Sequence, residues 1–162
     1  MGKWIYWVLP LSWMGVIYYS SSQPYQEQDI KPMLSNFVDL SFLDNYVSWI
    51  KFTYHQSEVS AAALGVNGLV EFFIRKGAHV TVFLVLMLLV YVALVKTISK
   101  SRNLLILIAL LSTICYAALD EIHQGFTPNR TPFLGDVVLD SVGALLGVGI
   151  ILVVRSSLSS KE

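Results

Sequence analysis

From Val80 to Val95 the chain carries no charged side chain. The hydrocarbon core of a bilayer accommodates such a run, and a helix needs about 20 predominantly apolar residues to cross its roughly 30 Å. The run extends back to about Gly77, with only His79 breaking its apolar start, and three others resemble it: Trp4 to Tyr19, Leu104 to Leu119 and Val137 to Val154. The first is short and contains Pro10, which bends a helix, yet Trp4, Tyr18 and Tyr19 flank it as interfacial anchors. The fourth has Asp140 inside it. Composition agrees, because 55% of the 162 residues are apolar and 14% charged, against about 25% charged in an ordinary soluble domain. The expectation is an all-α integral membrane protein with four transmembrane helices and an extracellular amphipathic helical segment between the first two. Residues 1–155 form the membrane domain and 156–162 a short cytoplasmic tail.

Lys and Arg favour cytoplasmic loops, which orients the bundle. With the N-terminus inside, the cytoplasmic set is Lys3, Lys96, Lys100, Arg102, Arg155 and Lys161, six bases against the single acid Glu162, while the other side holds five bases and ten acids. Both termini are then cytoplasmic, and residues 20–76 and 120–136 lie outside. Residues 1–22 also have the outline of a cleaved signal peptide, with Lys3, an apolar stretch and the small residues Ser20 to Ser22. Either reading leaves the second helix entering from outside.

The segment from Ser20 to Arg75 is too long for a structureless loop. Apolar residues at 33, 37, 40, 43, 47, 50 and 54 keep the spacing of one helix face, opposite Ser41, Asp44, Asn45, Ser48 and Lys51. One or two amphipathic helices are expected there. Tyr46, Trp49 and Tyr54 suit a membrane interface, but Asp39 and Asp44 oppose attraction to anionic lipid, so packing across the outer mouth of the bundle is the preferred role. Gly65 and Gly68 mark a break, after which Leu69 to Arg75 lifts the second helix above the bilayer.

Polar residues near the spans carry the functional signal, since an intramembrane ionisable group costs on the order of 2.5–3.5 kcal/mol unless paired or hydrated. Lys76 and His79, at i and i+3, share a helix face with Phe83. At the end of the third helix Asp120, His123 and Gln124 share a face, whereas Glu121 points elsewhere. Pro128 and Pro132 stiffen the following loop around Arg130. Asp136 and Asp140 are spaced i, i+4, and Gly143 and Gly147 continue their side as a packing surface. Asp140 pairing with Lys76 or Arg130 to lock the bundle is the structural alternative. All three clusters fall on one side of the membrane, with the membership of a phosphate-handling or acid–base site.

Balanced charge leaves no basic field for nucleic acid, and one cysteine, Cys115, excludes an intramolecular disulfide or a thiolate metal cluster. Cys115 reads as an apolar filler and His55 as a surface or packing residue. His79, His123 and the acids have ligand chemistry suited to zinc or manganese, but the helical Asp-x-x-His spacing occurs once, so a metal site stays a third reading, and neither a metal nor a cofactor is assigned.

The runs Phe73-Ile74-Arg75-Lys76-Gly77-Ala78-His79, Asp120-Glu121-Ile122-His123-Gln124-Gly125-Phe126-Thr127-Pro128-Asn129-Arg130 and Asp136-Val137-Val138-Leu139-Asp140-Ser141-Val142-Gly143 strongly resemble the VanZ-like proteins. Ser21-Ser22-Gln23 is similar to that family too, which favours a retained first helix, and the resemblance runs from about Trp4 to Val154. Asn129 stands where Gly often follows the proline, and Asp140 where Asn is common. Asn tolerates the left-handed turn that Gly supplies. The resemblance implies a multi-pass bacterial cell-membrane protein of the envelope, related to teicoplanin resistance, without supplying a reaction.

Two functions remain open. In one, the protein binds or shields a lipid-linked envelope component or a lipoglycopeptide antibiotic. In the other it is a membrane enzyme acting on a lipid-linked phosphate or cell-wall intermediate. Lys76 and Arg130 would hold an anion, His79 would act as base or nucleophile, and Asp120 or Asp136 would orient it. Glu121, His123, Gln124 and Asp140 complete the expected ligand-binding set. Solute transport is the remaining reading.

Overall fold

The computed structural model describes residues 2–37 and 40–159, so Asp39, Lys161 and Glu162 lie outside the described residues. In chain order its elements are α1 (Val8–Ser21), α2 (Lys31–Phe37), α3 (Asp44–Val47), strands β1 (Lys51–Tyr54) and β2 (Ser57–Ser60), α4 (Ala61–Thr97), α5 (Arg102–Gln124) and α6 (Leu134–Ser159). They group into two units, Met1–Gln23 with His79–Glu162, and Pro24–Ala78.

In the first unit the apolar runs become helices. The helices α4, α5 and α6 are each long and apolar enough to cross a membrane. The helix α4 is kinked at Gly65; at 1.5 Å per residue the 20 residues after Gly77 give about 30 Å, enough to cross the hydrocarbon core. Its one non-helical residue is Gly65, at φ 69° and ψ 165°, a left-handed conformation that costs glycine little. The helix α1 has 14 residues, continuing a 3-10 turn over Lys3–Trp7. Pro10 falls in the first turn of α1, where backbone N–H groups have no intrahelical acceptor. Its fixed φ of about −65° suits the opening turn of a helix.

Packing here rests on side-chain fit and small residues, because lipid tails are as apolar as the core. Phe83, Leu86, Met87, Val90 and Leu94 of α4 pack with Leu105, Ile106, Ala109 and Ala117 of α5, with Ala144 and Ile151 of α6 and with Ile17 of α1. Gly143 makes the α4–α6 crossing close, since a Cβ built there would collide with the backbone carbonyl of Val80. Large apolar side chains such as Leu107, Leu111, Leu145 and Val153 remain exposed. A soluble bundle would hide many of these residues; in a bilayer they face lipid.

The second unit departs from the expected all-α segment. A helix does not continue to Tyr54; after α3 the chain forms an antiparallel hairpin pairing Lys51 with Ser60 and Tyr54 with Ser57. His55 and Gln56, both at positive φ (48° and 61°), make its two-residue turn. Two left-handed residues match the twist of paired strands. Val59, Leu69 and Phe72 form a small core, with Val47, Ile50 and Tyr54 packed on it. Lys51 bridges Glu58 at 3.0 Å. Ser60 starts α4, its hydroxyl accepting from Ala63 N at 3.1 Å.

Candidate functional site

Helix periodicity sets the first layer. Asp120 and Gln124 lie one turn apart on α5, and the Gln124 amide donates to Asp120 Oδ2 at 2.9 Å. From the end of α1 the Ser21 hydroxyl donates to the same oxygen at 2.8 Å. Beyond α5, Thr127 donates to the Ser21 carbonyl at 3.1 Å, and Arg130 donates to Gln124 Oε1 at 3.0 Å. The loop between α5 and α6 can hold these positions because Asn129 takes a left-handed conformation, φ 60°, between its two prolines. His123 faces α1 as well, stacked on Tyr18 with ring centroids 4.2 Å apart. Its Nε2 lies 3.0 Å from Ser22 Oγ, whose own hydrogen is given to the Tyr18 carbonyl at 2.7 Å. Ser22 must therefore accept, which puts the His123 proton on Nε2.

A second layer joins α4 to α6. His79 Nδ1 lies 3.1 Å from Asp140 Oδ1. A carboxylate there accepts the Nδ1 hydrogen and leaves the Nε2 lone pair of a neutral ring as a base. The His79 side chain is 20% exposed and that of Asp140 1%. A buried carboxylate orienting a partly exposed imidazole is an arrangement used in acid–base chemistry.

Glu121 links the layers. The residue is buried, and its Oε1 accepts from Phe133 N, the backbone leading into α6, at 2.6 Å. It lies within electrostatic reach of His79, Asp136 and Asp140, and Asp140 within reach of Asp136 and Asp120. Asp136 is half-buried in the first turn of α6. The acids are short of donors: Asp120 Oδ1, Glu121 Oε2 and Asp140 Oδ2 are buried without a hydrogen-bond partner among the described residues, on side chains belonging to residues only 4%, 5% and 1% exposed. Most buried polar atoms are satisfied, so three such oxygens in one neighbourhood mark a place where a proton or a donor group is wanted.

Eight of the nine expected site residues, His79, Asp120, Glu121, His123, Gln124, Arg130, Asp136 and Asp140, fall in the first unit, in these two layers and the loop that joins them. Lys76 belongs to the second unit, where its ammonium lies over the Tyr54 ring, 4.5 Å from the centroid, and 5.7 Å from that of Phe72. Ser21, Ser22 and Thr127 enter the site although their residue types carry no strong chemical signal; the hydroxyl run closing the first apolar segment was the available hint. Among the described residues no three His, Cys, Asp or Glu side chains are placed to hold a metal ion.

Apolar helices long enough to cross a bilayer, carrying buried acids and an aspartate-oriented histidine, define a multi-pass membrane protein with a polar site in its helical bundle. The chain belongs to the VanZ/LLP1 family, whose model matches residues 6–155 and so takes in every residue of the site. No curated protein and no solved structure matches the chain.

Proposed function

We propose that this VanZ-family protein crosses the cell membrane four times with both termini cytoplasmic, and that its acid–histidine site faces outward to bind or shield a lipid-linked envelope component or a teicoplanin-type lipoglycopeptide. The turn and helix over residues 3–21 span about 30 Å together, enough for a fourth crossing. Trp4, Leu9, Leu11, Val16 and Tyr19, all exposed, fit a lipid-facing surface. What carries the site reading is the set of buried carboxylate oxygens without donors beside His79. Such oxygens select hydrogen-bond donors, and a glycopeptide or a sugar-bearing lipid precursor presents many.

The His79–Asp140 pair favours a second reading, in which His79 Nε2 acts as a base on a lipid-linked phosphate or cell-wall intermediate. Resistance and lipid-precursor profiling of His79→Ala, Asp120→Asn and Arg130→Ala at matched membrane levels tests both. Raised susceptibility with unchanged precursors supports binding; an accumulating precursor supports catalysis. Unchanged susceptibility and precursors in all three variants refute both. For topology, cysteines at Ser57 and Thr131 are expected to label from outside intact cells, and labelling at Ser101 would overturn the orientation.

A further inference from the structure

The second unit has exposed aromatic side chains that the polar site does not use. Over residues 41–50, a 3-10 turn, α3 and a following turn, three kinds of side chain differ in their surroundings. Val47 and Ile50 pack on the core of Val59, Leu69 and Phe72, with Leu43 half-buried in register with them. Ser41, Asp44, Asn45 and Ser48 form an exposed polar side. Phe42, Tyr46 and Trp49 are 63%, 72% and 78% exposed, and the Trp49 indole reaches back to the Tyr46 carbonyl. Each such ring carries roughly 150–250 Å² of surface that water solvates poorly.

Three observations select what covers these side chains. The unit is continuous with α4, whose residues after Gly77 enter the membrane, and Phe73 and Ile74 are exposed one turn before that entry. The indole N–H of Trp49 donates to the Tyr46 carbonyl at 2.7 Å, so the polar edge of the ring already has a partner within the segment. No Lys or Arg lies between Lys31 and Lys51, which removes electrostatic attraction to anionic surfaces as the cause of docking. Trp and Tyr concentrate at the headgroup level of bilayers, where one end of the ring is wet and the rest is not. We infer that Phe42, Tyr46 and Trp49 insert into the headgroup region of the lipid leaflet on their own side of the membrane and hold this unit against it. The inference is independent of the ligand proposed for the acid–histidine site.

The test uses the full chain in phosphatidylcholine nanodiscs, with Cys115→Ala removing the native thiol and a nitroxide attached through Tyr46→Cys or, on the polar side, Asn45→Cys. Collisions with oxygen, which partitions into lipid, are expected to exceed those with an aqueous nickel chelate at position 46, and the order to reverse at 45. Trp49→Cys gives a second reading should the position-46 variant fold poorly. Adding anionic phosphatidylglycerol is expected to leave the depth unchanged. Equal nickel access at 45 and 46, screening of 46 from both reagents by protein, or insertion only with anionic lipid would each overturn the inference.

Discussion

Asp140 allows the idea of donor-starved acids to be tested without disturbing the shape of the bundle. Its Oδ1 accepts from His79 at 3.1 Å while Oδ2 finds no donor among the described residues. A buried acceptor left unpaired costs about 1–3 kcal/mol, and more when charged. Asn keeps an oxygen for the His79 hydrogen and replaces the unpaired oxygen by an amide donor, in a neighbourhood where Asp120 and Glu121 also have unpaired acceptors. Asp140→Asn is therefore expected to hold stability or raise it by up to about 3 kcal/mol. Asp140→Ala strips His79 of its acceptor and is expected to lower stability by about 1–2 kcal/mol. Reversible unfolding in mixed detergent and dodecyl sulfate micelles, followed by helical circular dichroism, reads both variants. If Asp140→Asn lost as much as Asp140→Ala, Oδ2 would have to be engaged by a partner that needs its charge, and the reasoning would fail.

The same titration distinguishes two glycines of α6. Gly143→Ala drives a methyl against the Val80 backbone and is expected to cost about 1–3 kcal/mol, whereas Gly149→Ala meets nothing within 4 Å and is expected to stabilise by about 0.5–1 kcal/mol. In the hairpin, hydrogen bonds from Ser60 and from Lys51 hold the exposed Glu58 carboxyl below its ordinary value. Its small contribution is thus complete above the unfolded-state pKa and lost as pH falls through the lowered folded value; NMR shifts of Val59 should follow that titration, and Glu58→Gln should abolish it.

The legible parts of the molecule were those governed by a period. The 3.6-residue repeat brought Asp120, His123 and Gln124 to one side of α5, and the same repeat made Glu121 diverge from them. Divergence did not mean exposure: Glu121 is buried against Phe133 N, a partner twelve residues away that helix geometry alone could not supply. The hairpin was missed because positions 47, 50 and 54 fit a helical stripe, while its turn is built from His55 and Gln56, neither of which advertises positive φ as Gly or Asn does. The spacing of Lys76 to His79 gives no sign of the Tyr54 ring that lies beside its ammonium. That partner exists only once the hairpin has formed. Asp140 pairs with His79 at 3.1 Å, a partner 61 residues away on another helix that no spacing within α6 points to.

The contacts of α1 argue for a structural helix over a removable leader. Besides Ser21, which serves Asp120 and Thr127, α1 offers the Met14 carbonyl to the Tyr116 hydroxyl at 2.7 Å and the Trp13 indole N–H to the Val82 carbonyl at 3.0 Å. Ile17 is in the core. Without residues 1–22 the hydroxyls of Tyr116 and Thr127 lose their acceptors and Asp120 Oδ2 keeps one donor of two. The buried Thr127 hydroxyl left unpaired costs about 1–3 kcal/mol and the half-buried Tyr116 hydroxyl less, together a sizeable fraction of the roughly 5–15 kcal/mol that typically separates folded from unfolded domains. The protein extracted from membranes is accordingly expected to retain residues 1–22 by intact mass. A chain begun at Gln23 behind a foreign, cleavable signal is expected to unfold at markedly lower dodecyl sulfate. A mature mass lacking these residues, or equal resistance of the shortened chain, would mean that α1 is a leader whose hydrogen bonds contribute nothing to the mature fold.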